Sequence, residues 1–297
     1  MPKEGRRSEG DLLPFPSSSR LDYFPSVSDT GKMAYVSHKS GKWDLWIRDL
    51  GNGRETWVAS LDGTNPYMVS VVIKPDGSRV AYSGCRVDFT CDVFQVAATG
   101  GVPARICDHC GQVRAWSSDG RMATNVFQKF VTEPSGIIQR IDANTGEKTV
   151  IAEKPGMNLY APAFSRDGRW IAFQASVDDH VMQLFVAPLD GRLPIAPARW
   201  IAVTSAGNTD ADAAWSRDGR TLYFTSNRDG SVCLWAVRLD PATKKPLGEP
   251  FAVRHFHASP RRYSDAVYPM FSLGPDRIVI SLEQVQSDLW MMQLPEP

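Results

Sequence analysis

The sequence has no excess of charge of either sign. Its 33 Lys and Arg balance 33 Asp and Glu, for a formal net charge of zero. Nucleic-acid binders carry a basic excess or a basic face, so this balance argues for no nucleic-acid partner. No apolar run approaches the ~20 residues that a spanning helix needs, and no membrane span is expected. The first ten residues are polar and charged with no apolar stretch behind them, which is not the pattern of a secretory leader. As it stands, the sequence reads as cytoplasmic. Long stretches of 3.6-residue hydrophobic period are missing, so long helices are not expected. A Gly-x-Ser-x-Gly nucleophile elbow is missing too, and with it the signature of an α/β-hydrolase.

What is present points to short strands. Hydrophobic residues make up 42% of the 297, enough for a real core and too many for a disordered chain. Gly (23) and Pro (21) supply many turns, and a tenth of the residues are aromatic. That length fits one large β domain or two ordinary ones.

The chain repeats itself. Pro162-Ala-Phe-Ser-Arg-Asp-Gly-Arg-Trp-Ile-Ala-Phe173 matches Ala213-Ala-Trp-Ser-Arg-Asp-Gly-Arg-Thr-Leu-Tyr-Phe224, and weaker copies occur near residues 25–31, 71–77, 114–120 and 269–276. The shared Ser or Lys falls at Ser28, Lys74, Ser117, Ser165, Ser216 and Ser272, giving six units 43 to 56 residues apart. Each unit reads as an inner strand, a tight turn suited to positive φ, a second strand, a variable loop and a third strand. Most units close with an edge-like fourth strand. Four antiparallel strands at this period describe a β-propeller blade. The sixth unit runs out after its third strand at 288–292, and a spare apolar segment, residues 11–15, precedes the first inner strand. The expected fold is therefore all-β: a six-bladed propeller over 11–297, with residues 1–10 a disordered tail. Residues 11–15 would supply the missing outer strand and close the ring, removing its open edges. A closed ring of this kind is expected to be a monomer.

The Ser-x-Asp-Gly-Arg cores, followed by Ile-Ala-Phe or Leu-Tyr-Phe, resemble the WD-repeat-like units of TolB-type propellers across all six units. The resemblance is weakest where Thr30 replaces the Asp and where Gly274 interrupts the motif. It implies a fold more than a function. TolB uses such a ring to bind protein partners in the periplasm, prolyl-oligopeptidase-like enzymes use one as a gate, and bacterial kinases and regulators carry one as a sensory module. The resemblance thus implies a non-catalytic binding scaffold for a protein partner or small ligand, periplasmic if the chain is the mature form or a fragment of a TolB-like protein. The alternatives are a sensory module of a larger signalling protein, or a propeller lyase or hydrolase.

Loops on a rigid ring are the usual carriers of binding. In a propeller, the loops from outer to next inner strand and from second to third strand share one face. Here they carry Arg20, Asp22, Tyr23, Tyr67, His109, Asn158, Tyr160, Asp210, Asp212, His255, His257, Arg261, Arg262 and Tyr263. These are the candidate contact residues, against the plainer reading of ordinary polar loops. His255, His257, Arg261 and Arg262 suit an anionic ligand, and the Asp210–Asp212 loop offers oxygen ligands for Ca²⁺ in the channel. Cys85, Cys91, Cys107 and Cys110 lie in two such loops of neighbouring units. They admit four readings: packed thiols, disulfides, a Zn²⁺ site or a redox pair. Cys233 reads as core. The repeated Asp-Gly turns, on the opposite face, read as structural.

Overall fold

The computed structural model describes residues 22–64, 69–88, 90–126, 136–176, 181–257 and 271–283. Five antiparallel sheets of four strands follow one another along the chain. The first blade is β1 (Asp22–Val27), β2 (Lys32–Ser37), β3 (Asp44–Asp49) and β4 (Glu55–Ser60). The second is β5 (Val71–Ile73), β6 (Arg79–Cys85), β7 (Cys91–Ala97) and β8 (Ala104–Cys107). The third is β9 (Gln112–Trp116), β10 (Arg121–Val126), β11 (Ile137–Asp142) and β12 (Lys148–Glu153). The fourth is β13 (Leu159–Phe164), β14 (Trp170–Ser176), β15 (Met182–Pro188) and β16 (Ile201–Ala202). The fifth is β17 (Asp210–Trp215), β18 (Thr221–Ser226), β19 (Cys233–Arg238) and β20 (Phe251–Arg254). A two-stranded sheet, β21 (Phe271–Leu273) and β22 (Ile278–Ile280), comes last.

The expectation of six four-stranded blades is corrected to five among the described residues, with a sixth unit of two strands. That unit has three-residue strands, and Gly274-Pro275 interrupts its turn motif. The stretches that flank this unit, residues 258–270 and 284–297, lie outside the described residues. The segments assigned to its third strand (288–292) and to ring closure (11–15), and the tail 1–10, lie outside the described residues.

The turn motif has a physical basis. In the fourth blade the Ser165 hydroxyl donates to Asp167 Oδ1 at 2.6 Å and accepts the Trp170 N–H at 2.9 Å. Asp167 Oδ1 also accepts the Arg169 N–H at 3.1 Å. Gly168, at φ 67°, closes the turn onto the Ser165 carbonyl. The fifth blade repeats the set with Ser216, Asp218, Gly219 and Thr221. Side-chain bonds of this kind hold the backbone in the turn, which explains why this stretch of sequence repeats most clearly.

The core is divided into layers between blades. One cluster packs Val36 and Leu45 of the first blade against Val71 and Val80 of the second. Others join second to third, third to fourth, and fourth to fifth. A further cluster joins Leu234 and Phe256 at the fifth blade, Phe271 and Ile278 of the sixth sheet, and Tyr23 of the first blade. The Val27 N–H donates to Ser272 Oγ at 2.9 Å, and Ser281 Oγ donates to the Asp22 carbonyl at 3.1 Å. The six inner strands β1, β5, β9, β13, β17 and β21 therefore contact one another in sequence around a closed circuit.

Candidate functional site

The six inner strands and the turns that follow them surround one cavity of about 710 Å³. Its deepest lining is Pro25, Arg114, Ala161 and Asp212, inside their inner strands, with Val71 and Phe271, the first residues of β5 and β21. Its mouth is formed by the repeated turns, including Asp29, Pro75, Ser118, Arg166, Arg217 and Arg277. It is a cup open at the turn face. That size falls within the range of small-molecule pockets.

Four inner strands slip in register, β9 by a single residue at Arg114, and three share a wider bulge. The β1–β2, β13–β14 and β17–β18 registers each slip by a bulge. Within these bulges Phe24, Ala161 and Asp212 take positive φ values of 59°, 45° and 53°. Bulges re-aim side chains, and left-handed backbone at non-glycine residues costs energy. At Asp212 the result is an acid in the cup wall, 8% exposed, whose own N–H is held by Gln174 Oε1 at 2.9 Å. Burial pushes its pKa up to about 6, and the positive charge of Arg114 works the other way. Arg114 is fixed by Nε donating to Asn125 Oδ1 at 3.1 Å and by a bond to Gln112 Oε1 at 3.0 Å. At the mouth, Arg166 of the fourth unit reaches Asp29 of the first, an ion pair between two well-separated units of the ring.

Of the residues singled out from the sequence, Asp212 is the one among the described residues that lines this cup. The other described candidates sit toward the opposite, loop-bearing ends of the strands. Asp22 and Tyr23 begin β1, and Tyr23 packs on Trp43 with ring centroids 6.0 Å apart. His109 is exposed, and its backbone N–H is held by Asp92 Oδ1 at 3.0 Å. Asn158 is tied through its backbone to Ser176, and Tyr160 is half-buried, which raises its pKa. Asp210 is fully buried and paired with Arg228 at 2.9 Å. The bulge between Ala211 and Ala214 sets Asp212 apart from it, and the structure does not gather the two carboxylates at one point. Arg20, Tyr67, Arg261, Arg262 and Tyr263 lie outside the described residues. The four loop cysteines are joined as Cys85–Cys91 and Cys107–Cys110, with the two pairs adjacent through the Cys110 N–H to Cys91 carbonyl bond at 2.8 Å.

His255 and His257 do come together, around a residue that the sequence does not single out. His255 Nδ1 is 2.7 Å and His257 Nε2 3.0 Å from Asp229 Oδ2. Burial works to raise the pKa of Asp229, but the two imidazoles outweigh it and the net shift is downward. Cys233, whose thiol pKa is raised by burial, completes the group. Asp229 sits between the second and third strands and the histidines follow the fourth, so no sequence spacing links them. The cup escapes a sequence reading for a related reason. Arg114 sits within an inner-strand motif that reads as structural repeat.

A ring of antiparallel sheets around a ligand-sized channel defines a β-propeller. The TolB beta propeller domain family matches residues 113–249. A protein described as a putative TolB from Agrobacterium tumefaciens superposes with a TM-score of 0.61 at 19% identity, over 79% of this chain and 81% of that one. TolB from Acinetobacter baumannii gives 0.58 at 16% identity, over 74% of this chain and 52% of that one. An oligogalacturonate lyase in complex with manganese gives 0.54 at 19%, over 76% and 65%. The protein is a β-propeller, and its residues 113–249 are similar to the TolB beta propeller domain.

Proposed function

We propose that the protein is a non-catalytic binding module whose cup holds a protein segment or a small ligand. The observation that carries this is the cavity of about 710 Å³ lined by all six inner strands, with half-buried Arg114 and buried Asp212 in its wall. A rigid ring that sets a buried acid and a half-buried cation in its wall beside apolar surfaces such as Trp116 and Trp215, with further charged side chains at the mouth, suits a ligand with separated polar groups. Extended peptides and short oligosaccharides both fit that description. The loop face, with Tyr23, His109 and Tyr160, is the second contact surface of this reading.

The test is a panel of short peptides and oligosaccharides, read by the fluorescence of Trp116 and Trp215. Ser118 is exposed at the mouth, and Ser118→Trp narrows the entrance. The expected result is a ligand whose affinity falls about tenfold or more in Ser118→Trp, a loss of about 1.4 kcal/mol. Turnover of a panel member that is abolished by Asp212→Asn would instead make the cup an active site and overturn the non-catalytic reading.

A further inference from the structure

We propose that Asp229, Cys233, His255 and His257 form a binding site for a divalent transition metal, zinc first. One ligand atom from each of the four lies within 4.8 Å of every other. A tetrahedral zinc ion with bonds of about 2.0–2.3 Å holds its ligand atoms roughly 3.3–3.8 Å apart. Side-chain shifts of about an ångström carry this group to that geometry.

The donors are of the right kind. Two imidazole nitrogens, a thiolate and a carboxylate match zinc, whereas Ca²⁺ and Mg²⁺ select all-oxygen sets. The arrangement also fits an ion better than it fits its own internal contacts. Both imidazoles crowd the same oxygen, Asp229 Oδ2, at 2.7 and 3.0 Å. Yet both Asp229 oxygens are shielded from solvent and neither is met by a donor in hydrogen-bond alignment. Two ring nitrogens converging on one shielded carboxylate oxygen form an arrangement that a cation set between them would take up as its own donor set. The Cys233 sulfur is buried and accepts the Phe256 N–H at 3.3 Å. A backbone donor of this kind supports a metal-bound thiolate. The His255 ring is set edge-on against Trp235, with centroids 5.6 Å apart.

The site ties the loop between β18 and β19 to the chain that leaves β20. It staples the end of the fifth blade next to the cluster that joins it to the sixth sheet. None of the four residues lines the cup, so the site stands apart from the cup on which the binding reading above rests. Ions that bind only the folded state stabilise it, so the ion would hold the ring at this corner.

The experiment uses the full chain, stripped with a chelator and dialysed. Zn(II) is titrated against a chromophoric competitor, and Co(II) is added separately as a spectroscopic probe. The expected result is one Zn(II) per chain, a rise in Tm with added zinc, and a Co(II) spectrum with a sulfur-to-cobalt charge-transfer band. His257 is exposed, so His257→Gln should fold normally by circular dichroism, and it should weaken zinc at least tenfold. Cys233→Ser should remove the charge-transfer band. Unchanged zinc affinity in His257→Gln, or no charge-transfer band in the wild-type protein, would overturn the site and leave a plain Asp–His ion pair. A band that survives Cys233→Ser would place the metal on other cysteines and overturn it equally.

Discussion

Asp212 is an acid held where an acid is expensive. Its folded-state pKa, pushed up to about 6, lies above the ordinary value of 3.8. The folded protein therefore holds this proton more tightly than the unfolded chain does. The stabilising effect is fully present below about pH 4 and is lost as pH rises through about 6. Moving a carboxyl that far corresponds to at most about 3 kcal/mol. Asp212→Asn, which keeps the shape and tolerates positive φ, should raise stability by up to that amount at pH 8 and leave it nearly unchanged at pH 4. Urea unfolding at the two pH values reads the difference. An equal effect at both would mean that the carboxylate is not desolvated. A natural chain that keeps a destabilising acid in a ligand-sized cavity is behaving as functional sites do.

The inner strand is the element that makes the site. Its bulge places Phe24, Ala161 and Asp212 in left-handed backbone, and only an Asp at that position puts charge into the cup. Ala161 has no such compensation. Left-handed conformation costs an ordinary residue about 1–2 kcal/mol, while glycine loses about 0.4–1 kcal/mol through its freer unfolded state. Ala161→Gly should therefore stabilise the protein by roughly 0.5–1 kcal/mol, seen as a higher urea midpoint with an unchanged slope. Destabilisation would show that the Ala161 methyl packs better than its backbone geometry suggests. The bulges are not legible in the sequence, because Tyr-Ala-Pro-Ala-Phe and Ala-Asp-Ala-Ala-Trp still alternate well enough to read as regular strands. The turns are legible, because their Ser, Asp and Gly each make a local bond that any copy must keep.

At the scale of the whole ring, stability rests on layers between neighbouring blades, and the last layer joins Tyr23 to the sixth sheet and the fifth blade. The repeat pattern assigns residues 11–15 as an outer strand of that sixth sheet. If they add to it, deleting residues 1–10 should leave the thermal midpoint unchanged. Deleting residues 1–16 should lower it by several degrees, since Leu12, Leu13 and Phe15 would each lose roughly 1.5–3 kcal/mol of burial. Equal midpoints for the two truncations, followed by calorimetry, would show that this segment closes nothing.

The β-propeller, the six repeated units and the structural role of the Ser-x-Asp-Gly turns are all written along the chain. Those features rest on period-two patterning and on bonds between residues a few positions apart, and both are local. Folding in three dimensions settles which end of the channel opens into a cup, how Asp210 and Asp212 part company, and that Asp229 meets Cys233, His255 and His257. It also settles that the four loop cysteines stand as two adjacent pairs. Each of these depends on which residues from distant loops the ring brings to one point. Contacts across 17 to 137 positions, such as Asp92 with His109 or Asp29 with Arg166, leave no periodic trace along the chain. Cys233 is a case in point. Alone on a strand it reads as core, and only the folded blade sets it beside two histidines and an acid.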